Sequence, residues 1–397
     1  MIQKLNPDSF AFLALIALFS GLAALGTDMA LSAVPHIASA FSVSSGTVGL
    51  TLSAFMVGFA GSPLLYGPLS DRFGRKPIIL VSTAIYTMAG LSCALAPSFE
   101  TLVAWRFLQG CGAGASRSLS AAIIRDLFTG SAGRSKQSYV QVMQLLAPLS
   151  APTIGSVLLL LFHDWRSIYF FLSATGALTF VLMSLWYAES YRPGVQNRLA
   201  PRQLLTNYLR VFTSRQSVKY LLIQTLMFGC LFSYVTGSPL VMMEVYGLSP
   251  SLYGATFALT ASGIVTGSFI NGRLNARGVE PWRPLTAGLV MGAACSFTLL
   301  TLTLLGSLPL AVLLPLVVLV CLSFGLVGGN AVQLALEPMG DIAGLASSML
   351  SASSLGFGAL MGVVVSLLYN STPLSTVAAM AGCSALALLV YRVRGLL

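Results

Sequence analysis

Twelve long apolar runs, separated by short polar turns, constrain this chain more than any other feature. The runs cover residues 10–33, 45–67, 77–97, 101–123, 138–161, 166–188, 217–240, 251–272, 283–304, 309–334, 342–368 and 371–392. Each run is long enough to cross a hydrocarbon core of roughly 30 Å as a helix that rises about 1.5 Å per residue. Inside lipid, backbone polar groups must be satisfied within their own segment, so each run is predicted to be helical. The expected fold class is an all-α integral membrane protein with twelve transmembrane helices.

The composition favours a membrane protein over the soluble classes. Hydrophobic residues make up 56% of the 397 residues and charged residues only 8%, whereas soluble domains carry about 25% charged residues. The net charge of +10 does not indicate nucleic-acid binding, because the basic residues recur in short clusters between apolar runs. The six cysteines stand singly and show no metal-ligand spacing. We therefore predict no metal, no cofactor and no enzymatic site.

The basic residues predict the orientation of the chain. If the N-terminus is cytoplasmic, every Lys and Arg except Arg106, Arg117 and Arg166 falls in a turn or loop on that same side. Cytoplasmic loops of membrane proteins carry this kind of excess. Both termini are therefore predicted to be cytoplasmic.

A weak internal repeat predicts two halves of six helices each. GPLSDRFGRKP, residues 67–77, lies between the second and third runs, and NGRLNARGVEP, residues 271–281, lies between the eighth and ninth. Both segments carry arginines around a turn and end in proline. We expect pseudo-symmetric halves at 1–188 and 217–397, joined by a basic cytoplasmic linker at 189–216.

The first of these turns gathers charges that the rest of the chain lacks. Gly67 and Pro68 are predicted to end the second helix, Gly74 to allow a sharp turn, and Pro77 to open the third helix. The basic residues of the turn fit an anchor at the inner membrane surface. That interpretation does not explain Asp71, an anion available to a helix N-terminus or to a neighbouring arginine.

Several segments carry a resemblance to a known family. GPLSDRFGRKP closely resembles the loop-2/3 signature of the major facilitator superfamily. RFLQGCGAG (106–114) resembles its helix-4 motif, and APLSAPTIGS (147–156) resembles its helix-5 antiporter motif, with Ala147 where glycine is common. TDMALSAVPHIA (27–38) and LEPMGDIAGLASSML (336–350) are similar to the bicyclomycin-resistance-type (Bcr/CflA) subfamily of drug:proton antiporters.

The resemblance implies a monomeric, multi-pass transporter of the bacterial inner membrane that exchanges small molecules for protons by alternating access. In the family, the loop-2/3 turn is thought to latch the two halves on the inner side. The resemblance therefore implies gating roles for Gly67, Asp71, Arg72, Gly74 and Arg75, and for Pro148, Pro152 and Gly155 in helix five. An Asp71→Asn variant is expected to leave folding largely intact and to lower transport.

Three ionisable side chains, Asp28, Arg106 and Arg117, fall inside predicted helices. A charge near the centre of a bilayer costs roughly 2.5–3.5 kcal/mol on insertion scales, which makes each a functional candidate. Asp28 and Arg106 lie at similar predicted depths. Burial favours a neutral carboxyl and a nearby arginine favours a charged one, so Asp28 is our predicted proton carrier, with Arg106 as its partner. The alternative is a structural ion pair.

Arg117 is predicted to share a helix face with Arg106. Eleven residues at about 100° each return to within about 20° of the same direction. Gly110 and Gly114 lie between them and leave room for a ligand or for a close helix. The partner of Arg117 stays open between an anionic group of a substrate, a carboxylate such as Asp28, and a network of carbonyls or water.

The remaining candidates are polar or aromatic residues on predicted helices. Helix five carries Gln141 and Gln144 in one stripe with its two prolines. The predicted substrate-binding residues are Asp28, Arg117, Gln141, Gln144, Tyr234, Phe55, Met56 and Asn330. For the amides the alternative is hydrogen bonding between helices, and for the aromatic and methionine side chains it is packing.

The first functional hypothesis is proton-coupled export of small amphipathic compounds, such as drugs. The alternative keeps the fold but carries a polar or anionic metabolite, such as a nucleoside, an amino-acid derivative or a metallophore, which Arg117 favours. A membrane enzyme is not indicated, because the sequence shows no Ser/His/Asp set and no metal-ligand cluster. A channel is disfavoured by the absence of repeated filter-like polar segments.

Overall fold

The computed structural model describes residues 4–128, 136, 140, 147, 150–190 and 210–393. Throughout these residues the regular secondary structure is helical. Ten of the described segments are long and apolar enough to cross a membrane. The all-α membrane class predicted from the apolar runs is confirmed.

The helices of the first part of the chain follow the predicted runs closely. They are α1 (Phe10–Asp28), α2 (Val34–Phe41), α3 (Ser45–Phe73), α4 (Arg75–Ala94), α5 (Phe99–Leu127), α6 (Ser150–Phe162) and α7 (Arg166–Trp186). A 3₁₀ segment, Met29–Ala33, joins α1 to α2. The first span is therefore an α-helix interrupted by one tighter turn.

The second part of the chain repeats this pattern with its own irregular segments. Its helices are α8 (Arg215–Pro239), α9 (Pro250–Ala276), α10 (Trp282–Leu304), α11 (Leu310–Leu336), α12 (Ala343–Leu367) and α13 (Leu374–Arg392). A π-helical turn, Leu240–Val245, follows α8, and a 3₁₀ turn, Glu337–Ile342, separates α11 from α12.

The chain separates into two compact units. The first comprises Met1–Val43 and Thr51–Asn197, and the second comprises Ser44–Leu50 and Arg198–Leu397. Most of the predicted linker, 189–216, lies outside the described residues. The predicted bounds of the two halves stay a prediction.

Small residues allow the helices of each unit to approach closely. In the first unit, a Cβ on Gly176 of α7 would lie 2.6 Å from the Thr87 hydroxyl of α4. In the second unit, Gly263 and Gly267 of α9 face the backbone of α11, where Gly325 in turn faces α9. Membrane helices gain little from a hydrophobic driving force, so close backbone packing of this kind is what holds them together.

Two predicted helix ends in the first unit were wrong. Gly67 and Pro68 do not end a helix, since α3 continues through Pro68 to Phe73. A proline removes one backbone hydrogen bond, and transmembrane helices tolerate that loss. The break comes at Gly74, whose φ of 95° is strained for other residues. Helix α4 then begins at Arg75, so Pro77 is its third residue rather than its first.

Candidate functional site

Asp28 occupies the point where the first span stops being an α-helix. It is the last residue of α1, and the buried 3₁₀ segment Met29–Ala33 follows it. The Asp28 side chain is itself buried, with 6% of its surface exposed. A 3₁₀ stretch inside a longer helix often marks a functional hinge. The carboxyl thus lies at an irregular turn that the apolar pattern did not reveal.

Gly155 packs directly against this irregular turn. A Cβ added to Gly155 would overlap the carbonyl oxygen of Met29 and would lie 2.6 Å from Ser32 Oγ. The Ser32 hydroxyl donates a 3.0 Å hydrogen bond to the same carbonyl. The predicted helix-5 motif is therefore in contact with the residue that follows Asp28, and only a glycine fits there. Its gating role stays a prediction.

The rest of that motif is only partly described. Pro152 is buried in α6, one turn before Gly155. Pro148, Gln141 and Gln144 lie outside the described residues, so their predicted roles are untested.

Arg106 of α5 is tied to the last turn of α1. Its side chain is fully buried. Nη2 donates a 2.9 Å hydrogen bond to the carbonyl of Gly26, and Nη1 donates a 2.7 Å hydrogen bond to Gln109 Oε1. The guanidinium carbon lies 4.5 Å from the ring centroid of Phe55 and 5.7 Å from that of Tyr169. Arg106 is thus bound to α1 at Gly26, two residues before Asp28, and two aromatic rings lie beside its guanidinium group.

Asp28 and Arg106 do not form an ion pair in this structure. Within the described residues, the Asp28 carboxyl has neither an ion pair nor a hydrogen bond. Arg106 Nε, Gln109 Nε2 and the Tyr169 hydroxyl are buried and also lack a partner there. The two terminal nitrogens of Arg106 instead donate hydrogen bonds to the Gly26 carbonyl and to the Gln109 side chain. The predicted coupling between the two charges stays a prediction.

The glycines beside Arg106 serve a close helix contact. A Cβ on Gly110 would overlap the backbone carbonyl of Phe55, and one on Gly114 would overlap the Ser62 hydroxyl. Of the two roles left open for this face, the close helix is therefore the one observed, and the close helix is α3. Phe55 and Met56 are buried, and Phe55 covers the Arg106 guanidinium. The side chain of Arg117 lies outside the described residues.

The two predicted binding residues of the second unit are engaged in helix packing. The Tyr234 hydroxyl lies 2.5 Å from Thr260 Oγ1, and its ring stacks on Phe257. Asn330 is fully buried, and its amide is hydrogen-bonded to two asparagines of α9. These contacts favour the structural alternative for both residues. A role in substrate binding stays a prediction.

The segment 67–77, called the charged turn below, is built around Arg75. This side chain is 2% exposed. Nη1 donates 2.5 Å hydrogen bonds to Asp71 Oδ1 and Ser70 Oγ, and Nε donates a 2.9 Å hydrogen bond to Asp126 Oδ2 at the end of α5. The predicted pairing of Asp71 with a neighbouring arginine is observed. Arg72 is exposed and stacks on Phe73 at 5.1 Å.

Glu189 completes the charged turn, and the sequence did not reveal it. Its carboxylate accepts hydrogen bonds from the backbone N–H groups of Arg75 (3.0 Å) and Lys76 (2.9 Å), so it caps the N-terminus of α4. The Lys76 ammonium donates to the carbonyls of Ser184 and Tyr187 at the C-terminal end of α7. The negative Glu189 thus lies at a helix N-terminus and the positive Lys76 at a helix C-terminus, which is the favourable arrangement for both helix dipoles.

Two further groups surround this end of α7. Lys4 Nζ donates a 2.6 Å hydrogen bond to the carbonyl of Leu185. The Tyr187 hydroxyl lies 2.6 Å from Ser190 Oγ, and burial raises the pKa of this phenol, so it stays neutral. The sequence places Glu189 at the start of the predicted linker, because nothing in its local pattern links it to a turn more than a hundred residues earlier.

The segment 271–281, called the amide turn below, occupies the equivalent place in the second unit. Asn330 Nδ2 donates a 2.6 Å hydrogen bond to Asn271 Oδ1, and Asn275 Nδ2 donates a 3.2 Å hydrogen bond to Asn330 Oδ1. Gly278 has a φ of 74°, as Gly74 has a positive φ in the charged turn. The repeat seen in the sequence is therefore also a repeat of backbone conformation.

Two similar turns between apolar helices, together with charged side chains buried beside a helix break, are typical of helical membrane transporters. The sequence model of the Major Facilitator Superfamily matches residues 16–363, and the chain belongs to this family.

Named relatives confirm the resemblance to the bicyclomycin-resistance-type subfamily. The chain is 29% identical over 392 residues to the bicyclomycin resistance protein homolog of Haemophilus influenzae, covering 97% of this chain and 96% of that protein. It is 30% identical over 374 residues to the multidrug resistance protein MdtL of Salmonella typhimurium, covering 92% and 90%. It is 34% identical over 367 residues to the uncharacterized MFS-type transporter YdgK of Bacillus subtilis, covering 91% and 90%.

Solved structures of distant transporters share the fold. A bacterial homolog of the human lysosomal transporter Spinster matches with a TM-score of 0.75 at 16% identity, covering 98% of both chains. The xylose transporter XylE from E. coli matches with a TM-score of 0.74 at 16% identity, covering 96% of both chains. At these identities the likeness shows the fold and nothing about the substrate.

Proposed function

We propose that this chain exports small amphipathic compounds across the bacterial inner membrane in exchange for protons, with both termini in the cytoplasm. The observation that carries this proposal is the Asp28 carboxyl, which is buried at the break of α1 and has no ion pair within the described residues. The printed names of two relatives, a bicyclomycin resistance protein homolog and a multidrug resistance protein, support drug-like substrates.

In the proposed cycle, the buried Asp28 carboxyl alternates between a bound proton and Arg106 as its partner. A buried carboxylate must either bind a proton or find a cation, because an isolated buried charge is very costly. Arg106 offers that cation, since it is anchored to Gly26 and keeps its Nε–H unused. Proton release from Asp28 then draws Arg106 from its present contacts toward the carboxylate. Proton binding returns it to Gln109 and the α1 carbonyl.

The substrate in this proposal binds within the membrane-spanning helices, alongside Arg117 and the Gln141 and Gln144 stripe. Alternating access exposes that site to each side in turn, and the inward movement of a proton supplies roughly 2.3 kcal/mol per 100 mV of membrane potential. The transporter acts as a monomer and uses no cofactor.

Transport by purified protein in vesicles under an imposed pH gradient tests the proposal. The measured quantities are ethidium movement and internal pH, recorded together. Asp28→Asn is expected to abolish pH-driven ethidium movement, because the variant cannot exchange a proton. Asp28→Glu is expected to retain part of it. Asp164→Asn, which changes an exposed carboxylate in the loop before α7, is the matched control and is expected to transport normally.

Normal pH-driven transport by Asp28→Asn would remove Asp28 from the coupling role. The metabolite alternative is separated by repeating the assay with labelled anionic and cationic solutes. Loss of anion transport alone in Arg117→Ala would favour a dedicated transporter of anionic metabolites over a drug exporter.

A further inference from the structure

The Lys219 side chain is almost wholly buried and has no counter-ion among the described residues. It is the fifth residue of α8, and only 3% of its surface is exposed. Within the described residues it has no carboxylate within 4.0 Å and no hydrogen-bond acceptor. Among the residues that the structure describes, Nζ makes a cation–π contact with the ring of Tyr391, whose centroid lies 5.5 Å away. An ammonium group with so little access to water is stabilised by an anion beside it.

Tyr391 connects the ammonium group to two further helices. Tyr391 belongs to the last turn of α13, and its hydroxyl lies 2.6 Å from Thr286 Oγ1 of α10. Lys219, Tyr391 and Thr286 together are called the Lys219 notch below. Arg283 lies one turn before Thr286, and Arg392 follows Tyr391 directly. Both side chains are exposed.

Basic residues outnumber acidic ones near this end of the second unit. Among the described residues, no ion pair involves Arg215, Lys219, Arg273, Arg277, Arg283 or Arg392. Of the acids at this end, Glu280 is exposed, and Glu337 accepts a 3.0 Å hydrogen bond from Gln216.

The first unit differs at the same end. There Arg75 pairs with two aspartates, Lys136 lies 3.0 Å from Asp8, and Lys76 is bound to helix carbonyls. Arg72 and Arg125 of the first unit also have no ion pair among the described residues, but both are exposed, whereas the Lys219 side chain is buried.

The flanks of the notch suit a lipid. Trp282 at the start of α10 is half exposed and carries Arg283 5.4 Å from its ring, which is typical of residues at the membrane–water boundary. Further into the membrane, Val290 of α10 and Leu386 and Leu389 of α13 are exposed apolar side chains. A molecule with an anionic head and apolar tails would match both parts.

We propose that the Lys219 notch binds the phosphate of an anionic phospholipid from the membrane leaflet at the predicted cytoplasmic side. The phosphate oxygens accept charge-assisted hydrogen bonds from Lys219, with Arg283 and Arg392 at the rim. The acyl chains lie along the exposed apolar faces of α10 and α13. Basic pockets between helices on the cytoplasmic side are suited to such headgroups, whereas zwitterionic lipids lack the net charge.

Lipid titration of the purified full-length protein tests this proposal. Phosphatidylglycerol is added to protein in phosphatidylcholine nanodiscs, and the apparent melting temperature is followed against its mole fraction. The wild type is expected to gain stability saturably. Lys219→Gln is expected to raise the half-saturating mole fraction about fivefold, equivalent to about 1 kcal/mol. Arg277→Gln, which removes an exposed cation from the amide turn, is the matched control and is expected to titrate as the wild type does.

Two further variants keep the proposal testable if Lys219→Gln folds poorly. Lys219→Arg is expected to keep the phosphatidylglycerol response, and Arg283→Gln to weaken it less than Lys219→Gln does. In pure phosphatidylcholine, Lys219→Gln is expected to be at least as stable as the wild type, because it removes an unpaired buried charge. An unchanged phosphatidylglycerol response in Lys219→Gln overturns the proposal. Equal saturable stabilisation by inorganic phosphate alone, lost in Lys219→Gln, also overturns it by identifying a soluble anion as the ligand.

Discussion

The charged turn and the amide turn solve the same structural problem with different chemistry. The charged turn joins α3 to α4 and binds α5, and the amide turn joins α9 to α10 and binds α11. Each contains a glycine of positive φ. In the first unit the link to that helix is Arg75 to Asp126, and in the second it is Asn271 to Asn330. One turn is held by full charges and the other by neutral amides.

The two networks are expected to respond differently when one of their members is removed. A charged network holds firmly only while every partner is present, because a buried charge left alone costs more than the pair contributed. An amide network loses less when one member is removed, since an unpaired neutral group is cheaper to bury. The stability of the charged turn therefore depends on every one of its charged members. The amide turn gives its unit a constant connection.

The largest effect is expected from Arg75→Gln in the charged turn. The variant leaves Asp126, which is mostly buried, without its cation, and we expect a loss of about 3–5 kcal/mol in the free energy of unfolding. Thermal unfolding of the purified protein measures it. Adding Asp126→Asn is expected to recover part of the loss, because the double variant no longer buries an unpaired charge. Equal losses in the single and double variants would show that the pair does not hold the turn.

A smaller effect is expected from Asn330→Ala in the amide turn. The substitution leaves Asn271 Oδ1 and Asn275 Nδ2 without their partner, which costs about 1–3 kcal/mol. The same unfolding measurement, repeated at several pH values, should show a constant difference from the wild type. A loss as large as that of Arg75→Gln would remove the distinction between the two turns.

The smallest effects are expected from the two turn glycines. Gly74→Ala and Gly278→Ala each place a side chain at positive φ, at a cost of about 1–2 kcal/mol. At Gly74 the new Cβ would also lie 2.7 Å from Glu189 Oε2, whereas at Gly278 it meets no atom within 4 Å. Gly74→Ala should therefore be the more destabilised of the pair. The reverse order would mean that Glu189 does not cap α4 as described.

The sequence predicts those features that depend on local pattern. Apolar length identified the spans, and the two turn segments with their glycines were visible as a repeat. The buried charges Asp28 and Arg106 stood out because charge is rare within apolar runs. Each of these signals is read from contiguous segments of the chain, without knowledge of distant contacts.

The features that the sequence missed depend on distant contacts. Glu189 reaches a turn far from it in the chain, and Arg106 bonds to a backbone carbonyl that no residue type encodes. The 3₁₀ segment after Asp28 is packed against Gly155, so its position reflects tertiary fit rather than local propensity. The helix end predicted at Pro68 was wrong because proline usually ends helices in soluble proteins, whereas the membrane helix α3 continues past it.

The five residues of the 3₁₀ segment Met29–Ala33 allow the first span to change its length and its twist together. A 3₁₀ helix rises about 2.0 Å per residue and turns about 120°, against about 1.5 Å and 100° in an α-helix. Relaxing all five to α geometry would shorten the span by about 2.5 Å and rotate α1 against α2 by about 100°. Such a twist carries the carboxyl at residue 28 through more than a quarter of a circle while neither end of the span needs to unfold.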